Sequence, residues 1–182
     1  MGEIDSFATE LFEEAKRFLE KAREVAQTEG ERPFLHAALL LGITSLEAHI
    51  NAIAQEMSER SGLNILDNSI LLEKEFVFDK GHYKLTNKLK MYNLTDRILF
   101  ISKHFAIKGK QINVDAEWWS KLHQGIDTRN NIIHPKYKHT LTYEQVKSAF
   151  EGILGCLDEM YTILYNRPFP PLGRHLDSLM SF

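Results

Sequence analysis

Apolar residues return every three or four positions along several long stretches of the chain, the rhythm of amphipathic helices. The first stretch runs from about Ile4 to Gln27, with Phe7, Leu11, Ala15, Phe18, Ala22 and Val25 on its inner face and Asp5 or Ser6 as candidate caps. The second, Pro33 to Arg60, keeps the spacing through Leu35, Leu39, Ile43, Leu46, Ile50, Ile53 and Met57. Pro33 suits a first turn, and Ser61-Gly62 suits an end. A looser pattern over Lys84 to Phe105 places Leu85, Leu89, Leu94, Ile98 and Ile101 inward and Lys88, Arg97 and Lys103 outward. A fourth helix is predicted from near Asp115, its candidate cap, to His134. A fifth spans Thr142 to Tyr165, opened by the capping-box pair Thr142 and Gln145. Its stripe of Ala149, Gly152 and Cys156 leaves room for another backbone at close range.

Two segments break the rhythm. In residues 63–83, an apolar run from Ile70 to Phe78 precedes Lys80-Gly81, which fits a short helix followed by an extended stretch or a small hairpin. Residues 166–182 carry three prolines and then Leu172, Leu176, Leu179 and Met180, an arm that must lie over its own domain or over a second copy. The pattern therefore predicts an all-α bundle of four to five helices: one domain over residues 1–165, an insertion at about 63–83, and a C-terminal arm over 166–182.

The segment from Asp127 to Lys138, D-T-R-N-N-I-I-H-P-K-Y-K, concentrates the candidate chemistry. Pro135 ends the helix, since proline lacks an N–H and clashes with the preceding turn, so His134 falls at or just beyond the last turn. Arg129 shares the apolar stripe of Trp118, Leu122, Ile126 and Ile133. A guanidinium there requires a carboxylate, a carbonyl or an anion, because an unpaired buried charge is costly. Glu47, bordering the apolar face of the second helix, is the natural partner, with Asn51 one turn further on. A polar stripe of His123, Asp127, Asn130 and His134 runs alongside. His123 and Asp127 have metal-ligand spacing but lack a third ligand.

Charge changes the picture more than composition does. The net charge of −3 over 182 residues does not mark a nucleic-acid binder. Its distribution is uneven: residues 1–60 hold twelve acids against six Lys and Arg, whereas residues 80–110 hold eight Lys and Arg against Asp96 alone. Lys136 and Lys138 extend the basic side past His134, which fits either a phosphate-facing surface or a solvated one. The lone Cys156 forms no internal disulfide, no run of eighteen apolar residues is present, and the acidic N-terminus lacks a secretion signal. These point to a cytoplasmic protein without a membrane span. Gly2 and Ser6 fit a loose myristoylation pattern inside a predicted helix. The remaining histidines, His139 among them, are scattered and read as surface or core polar groups.

In this order the features resemble the HEPN domain family of small helical bundles. The resemblance rests on R-N-x-x-x-H at Arg129 to His134, on S-L-E-A-H-I-N at Ser45 to Asn51, on the lysine-rich K-L-T-N-K-L-K taken as helix, and on the closing amphipathic helix. It covers about Phe34 to Leu164. It implies a homodimer and, for many members, a metal-independent endoribonuclease serving as a toxin, paired with an antitoxin, or in phage defence. Arg129 and His134 would then be catalytic with Asn130 assisting, Glu47, Asn51, Asp127 and His123 supporting, and Lys136 and Lys138 holding RNA. No metal or cofactor is implied.

The chemistry is consistent with these residue types. Attack of a 2′-OH on the adjacent phosphorus needs one proton removed, one delivered, and negative oxygens stabilised. Histidine exchanges protons near neutrality, and a guanidinium matches phosphate in a bidentate fork. Other members bind a protein partner or a nucleotide without cutting RNA, or sit beside a nucleotidyltransferase. A non-catalytic module is therefore the alternative, and a purely structural dimer a third reading.

Overall fold

A helix of 28 residues forms the axis of the structure, a computed structural model that describes residues 3–138 and 140–181. This is α2, Glu31–Ser58, and its inward stripe of Leu35, Leu39, Ile43, Leu46, Ile50, Ile53 and Met57 is sealed from solvent. Around it pack α1 (Glu3–Glu24), α4 (Leu94–Phe105), α5 (Glu117–Ile133) and α6 (Tyr143–Tyr165). By length and composition α2 would cross a membrane, but just over half of its most apolar window is buried by the other helices, as befits a core helix. Gly2 and His139 lie outside the described residues.

The bundle is mostly helical, with six α-helices and one small two-stranded sheet among the described residues. The sheet occurs in the insertion. Helix α3 spans Ile65–Leu72, capped by Asn64, whose side chain accepts from the Leu66 and Asp67 amides. Strand β1, Lys74–Asp79, then pairs antiparallel with β2, His82–Leu89. Asp79 faces His82 across a two-residue turn, and Lys80 and Gly81 both hold positive φ (49° and 86°), the geometry whose twist matches a hairpin. The hairpin fits the expected insertion, but β2 also takes Lys84 to Leu89, most of the K-L-T-N-K-L-K expected to be helix. Leu85 and Leu89 are four apart, a spacing two strand residues on one face also satisfy, so periodicity alone could not decide.

Helix packing confirms the small-residue stripe. A Cβ added at Gly152 would stand 2.5 Å from the Leu122 nitrogen, and one at Gly125 would stand 2.7 Å from the Ala149 Cβ. Helices α5 and α6 thus approach until backbone nearly touches backbone, and the stripe is consumed within one chain. Three smaller expectations shift. Phe7 is 56% exposed, because the inner face of α1 runs through Ala8, Phe12, Ala15 and Leu19. Ala116, not Asp115, precedes α5, and no side chain caps it. Ile133 is 46% exposed in the last turn of its helix, while Leu122 is fully buried.

The arm folds back over its own domain. Phe169 is buried against His49 and Tyr161, and a 3-10 turn follows over Pro170–Arg174. Buried Glu13 of α1 then receives the Leu179 amide (2.7 Å), the Arg174 guanidinium (3.0 Å) and Lys16 (2.8 Å). The buried Lys16 also donates to the Asp177 carbonyl, so its charge is compensated on both sides. Leu179 stays exposed, against the expectation that the arm's leucines all need burial.

Candidate functional site

A polar seam crosses the outer edge of α2, and two arginines from different helices meet it. Glu47 and Asn51 lie one turn apart on α2, so both side chains leave the same face. Arg129 of α5 forms an ion pair with Glu47, the partnership its place on an apolar stripe required. Both side chains keep some exposure, 20% for Arg129 and 39% for Glu47, so the pair borders solvent. A second Arg129 nitrogen donates to the Asn130 side-chain carbonyl at 3.1 Å.

Asn51 is not part of the Arg129 contact. It accepts from Arg97 of α4 at 2.8 Å. Arg97 was expected on the outer face of its helix, yet it is 3% exposed. It reaches the open end of α3, where Nη2 donates to the Leu71 carbonyl at 2.9 Å and Nε to that of Ile70 at 3.2 Å. These are carbonyls that a helix end leaves without partners. Glu73, itself buried, pairs with Arg97 at 3.0 Å. Burial pushes the Arg97 pKa down, and the charges of Glu73 and Glu47 oppose that shift. The spacing Leu94, Arg97, Ile101 did carry the signal, since it places Arg97 on the inner stripe; treating arginine as a surface residue hid it.

His134 is the C-terminal cap residue of α5. Its amide still bonds to the Asn130 carbonyl at 2.9 Å, but its backbone (φ −121°, ψ 64°) has left the helix, as Pro135 demands. The residue is exposed, and its ring makes no hydrogen bond, ion pair or ring contact among the described residues. Having left the helix, His134 is free of the roughly 140° separation from Arg129 that five residues of ideal helix would impose. Lys136 and Lys138 follow in an exposed loop beside Tyr137, which is 70% exposed.

The rest of the polar stripe is solvent-facing. His123 packs edge-on against Trp119, ring centres 4.8 Å apart, and is not drawn towards Arg129. Asp127 lines a shallow depression of about 430 Å³ with Gln124, Asn131 and Glu144. Among the described residues no group of three His, Cys, Asp or Glu is arranged to hold a metal ion. Cys156 is fully buried, and burial raises its thiol pKa far above neutrality, so it is packing material rather than a nucleophile.

No family model, curated protein or solved structure matches this chain. The arrangement of the residues has to carry the functional reading.

Proposed function

We propose that the protein is a metal-independent endoribonuclease of the HEPN type, acting as a homodimer, with Arg129 and His134 as the catalytic pair. The observation that supports this reading best is the exposed, uncommitted imidazole of His134 at the end of the helix that holds Arg129 in place. In this scheme His134 moves the proton to or from the reacting ribose oxygen, and Arg129 stabilises the charge that develops on the phosphate. Asn130 orients the guanidinium, and Lys136 and Lys138 attract the RNA backbone. The second copy in the dimer supplies the second acid–base group. A role as a toxin with an antitoxin, or in phage defence, belongs to this reading.

One observation favours a second reading. Arg129 is already satisfied by Glu47, so a phosphate must compete with a carboxylate for it. In a non-catalytic module the pair would simply tie α5 to α2, and the exposed seam would bind a protein partner, such as a nucleotidyltransferase, or a nucleotide.

Incubation with total RNA in EDTA separates the two, with wild type beside His134→Ala and Arg129→Ala. Cleavage reduced by at least a hundredfold in both variants, with products ending in 2′,3′-cyclic phosphate, is the expected result. Equal cleavage by wild type and His134→Ala, or none by any of the three, would remove the ribonuclease reading.

A further inference from the structure

The β1–β2 hairpin stands on the bundle with its aromatic side open. Cross-strand register pairs Phe78 with Tyr83 and Phe76 with Leu85, which places these four side chains on one face. Phe78 is 65% exposed and Tyr83 62%. Their ring centres lie 5.1 Å apart at 60°, so each steadies the other while much of both rings remains in water. Further along, Lys90 lies over the Phe76 ring at 5.0 Å. Exposed aromatic rings on a two-stranded ribbon are an unfavourable surface to leave uncovered.

Charge identifies what suits that surface. Residues 74–90 carry five lysines against Glu75 and Asp79, a net charge of +3. Lys84 and Lys88 lie on the opposite face, where they meet Asp79 and Glu75, whereas Lys90 sits over Phe76 on the aromatic side and Lys80 is exposed at the turn. A second copy of the same ribbon would bring like charges together. A membrane-inserting hairpin would carry its apolar groups at the tip, but here the tip is Lys80-Gly81-His82. Aromatic faces flanked by Lys80 at one end and Lys90 at the other match single-stranded nucleic acid, whose unpaired bases stack while its phosphates take the cations.

The ribbon is also fixed in place relative to the arginine seam. The Lys90 amide donates to the Glu73 carbonyl at 2.8 Å, and the Tyr92 amide to the Glu73 carboxylate at 3.2 Å. That carboxylate holds Arg97, and Arg97 holds Asn51, one turn along α2 from the Glu47 that pairs with Arg129. The root of the hairpin is thus tied, through Glu73, Arg97 and Asn51, to the helix that also carries Glu47.

We propose that the β1–β2 hairpin is a platform for single-stranded RNA, with bases stacking on Phe78 and Tyr83 and phosphates held by Lys80 and Lys90. The choice of RNA rests on the ribonuclease reading; binding to the platform does not require cleavage. The test uses the full chain carrying His134→Ala and a fluorescein-labelled twelve-nucleotide RNA, read by fluorescence anisotropy in EDTA. Phe78→Ser with Tyr83→Ser should weaken binding at least tenfold without changing the helical circular dichroism. Lys80→Glu with Lys90→Glu should weaken it and flatten the dependence of log K on log salt, by about 0.7 for each phosphate that the variant no longer neutralises. A perfect duplex of the same length should bind at least tenfold more weakly than the single strand.

Unchanged RNA affinity in both double variants overturns the proposal, as does failure of the parent to bind RNA. So does a hairpin-dependent affinity for phosphatidylcholine–phosphatidylserine vesicles with none for RNA, or a dimer that sedimentation shows to dissociate when Phe78 and Tyr83 are replaced. The two readings fail separately. Binding that depends on the hairpin without any cleavage sinks only the nuclease. Cleavage that depends on His134, with KM unchanged in the hairpin variants, sinks only the platform.

Discussion

Gly152→Ala tests the tightest glycine contact with the backbone of another helix, and through it the placement of the candidate site. The new Cβ would stand 2.5 Å from the Leu122 nitrogen and 2.9 Å from both the Leu122 Cα and the Lys121 carbonyl carbon. All three are backbone atoms of α5, so no rotamer change relieves the overlap. Restoring an ordinary contact requires α5 to retreat by about 1 Å, and overpacking of this kind costs about 1–3 kcal/mol, here at the upper end. Alanine returns about 1 kcal/mol through its better helix propensity. The net loss is then about 2 kcal/mol, or roughly 4–8 °C in Tm for a domain of this size. Urea unfolding followed by the fluorescence of Trp118 and Trp119, together with a thermal scan, reads both quantities. Gly173→Ala, where nothing lies within 4 Å of the added carbon, is the control and should stay within about 0.5 kcal/mol of wild type. A Gly152→Ala protein as stable as wild type, or more so, would show that α5 and α6 do not pack this closely. Because α5 carries Arg129, any ribonuclease activity should fall along with the stability.

Three further outcomes follow from the polar groups. Arg97→Met strands Glu73 and frees the Ile70 and Leu71 carbonyls, so urea unfolding should show a loss of about 3 kcal/mol or more; under about 1 kcal/mol would mean that Arg97 is not buried as described. A double-mutant cycle with Arg129→Ala and Glu47→Ala should give a coupling of about 1 kcal/mol or less, since Glu47 is over a third exposed, and a value above about 2 kcal/mol would contradict a solvent-bordered pair. Burial lowers the pKa of His49 despite the opposing charge of Asp5, so the native protein binds that proton less readily than the unfolded chain. Its contribution to stability is complete above the unfolded value of about 6.5 and is lost as pH falls below it, by up to about 1.4 kcal/mol per pH unit. Urea midpoints measured from pH 7.5 to 5.5 should show that slope in wild type and a shallower one in His49→Gln.

The sequence by itself determined the long helices, because a buried stripe repeating every 3.6 residues leaves a mark wherever a helix meets a core. It marked the Arg129–Glu47 pair for the same reason, as a charge on an apolar stripe needs an opposite charge nearby. It marked the end of α5 as well, since proline acts locally. Tertiary structure decided what depends on distant segments. Residues 84–89 became a strand because β1 and the Lys80-Gly81 turn offered a partner, although their own spacing suits a helix equally. Arg97 went inward because the open end of α3 and the Glu73 carboxylate were there to receive it, and neither lies within twenty residues of it in the chain. The arm turned onto its own α1 because Glu13, more than 150 residues away in sequence, collects its amides. Local patterning fixes periodic burial; a partner distant in sequence is chosen only when the folded chain brings the two together.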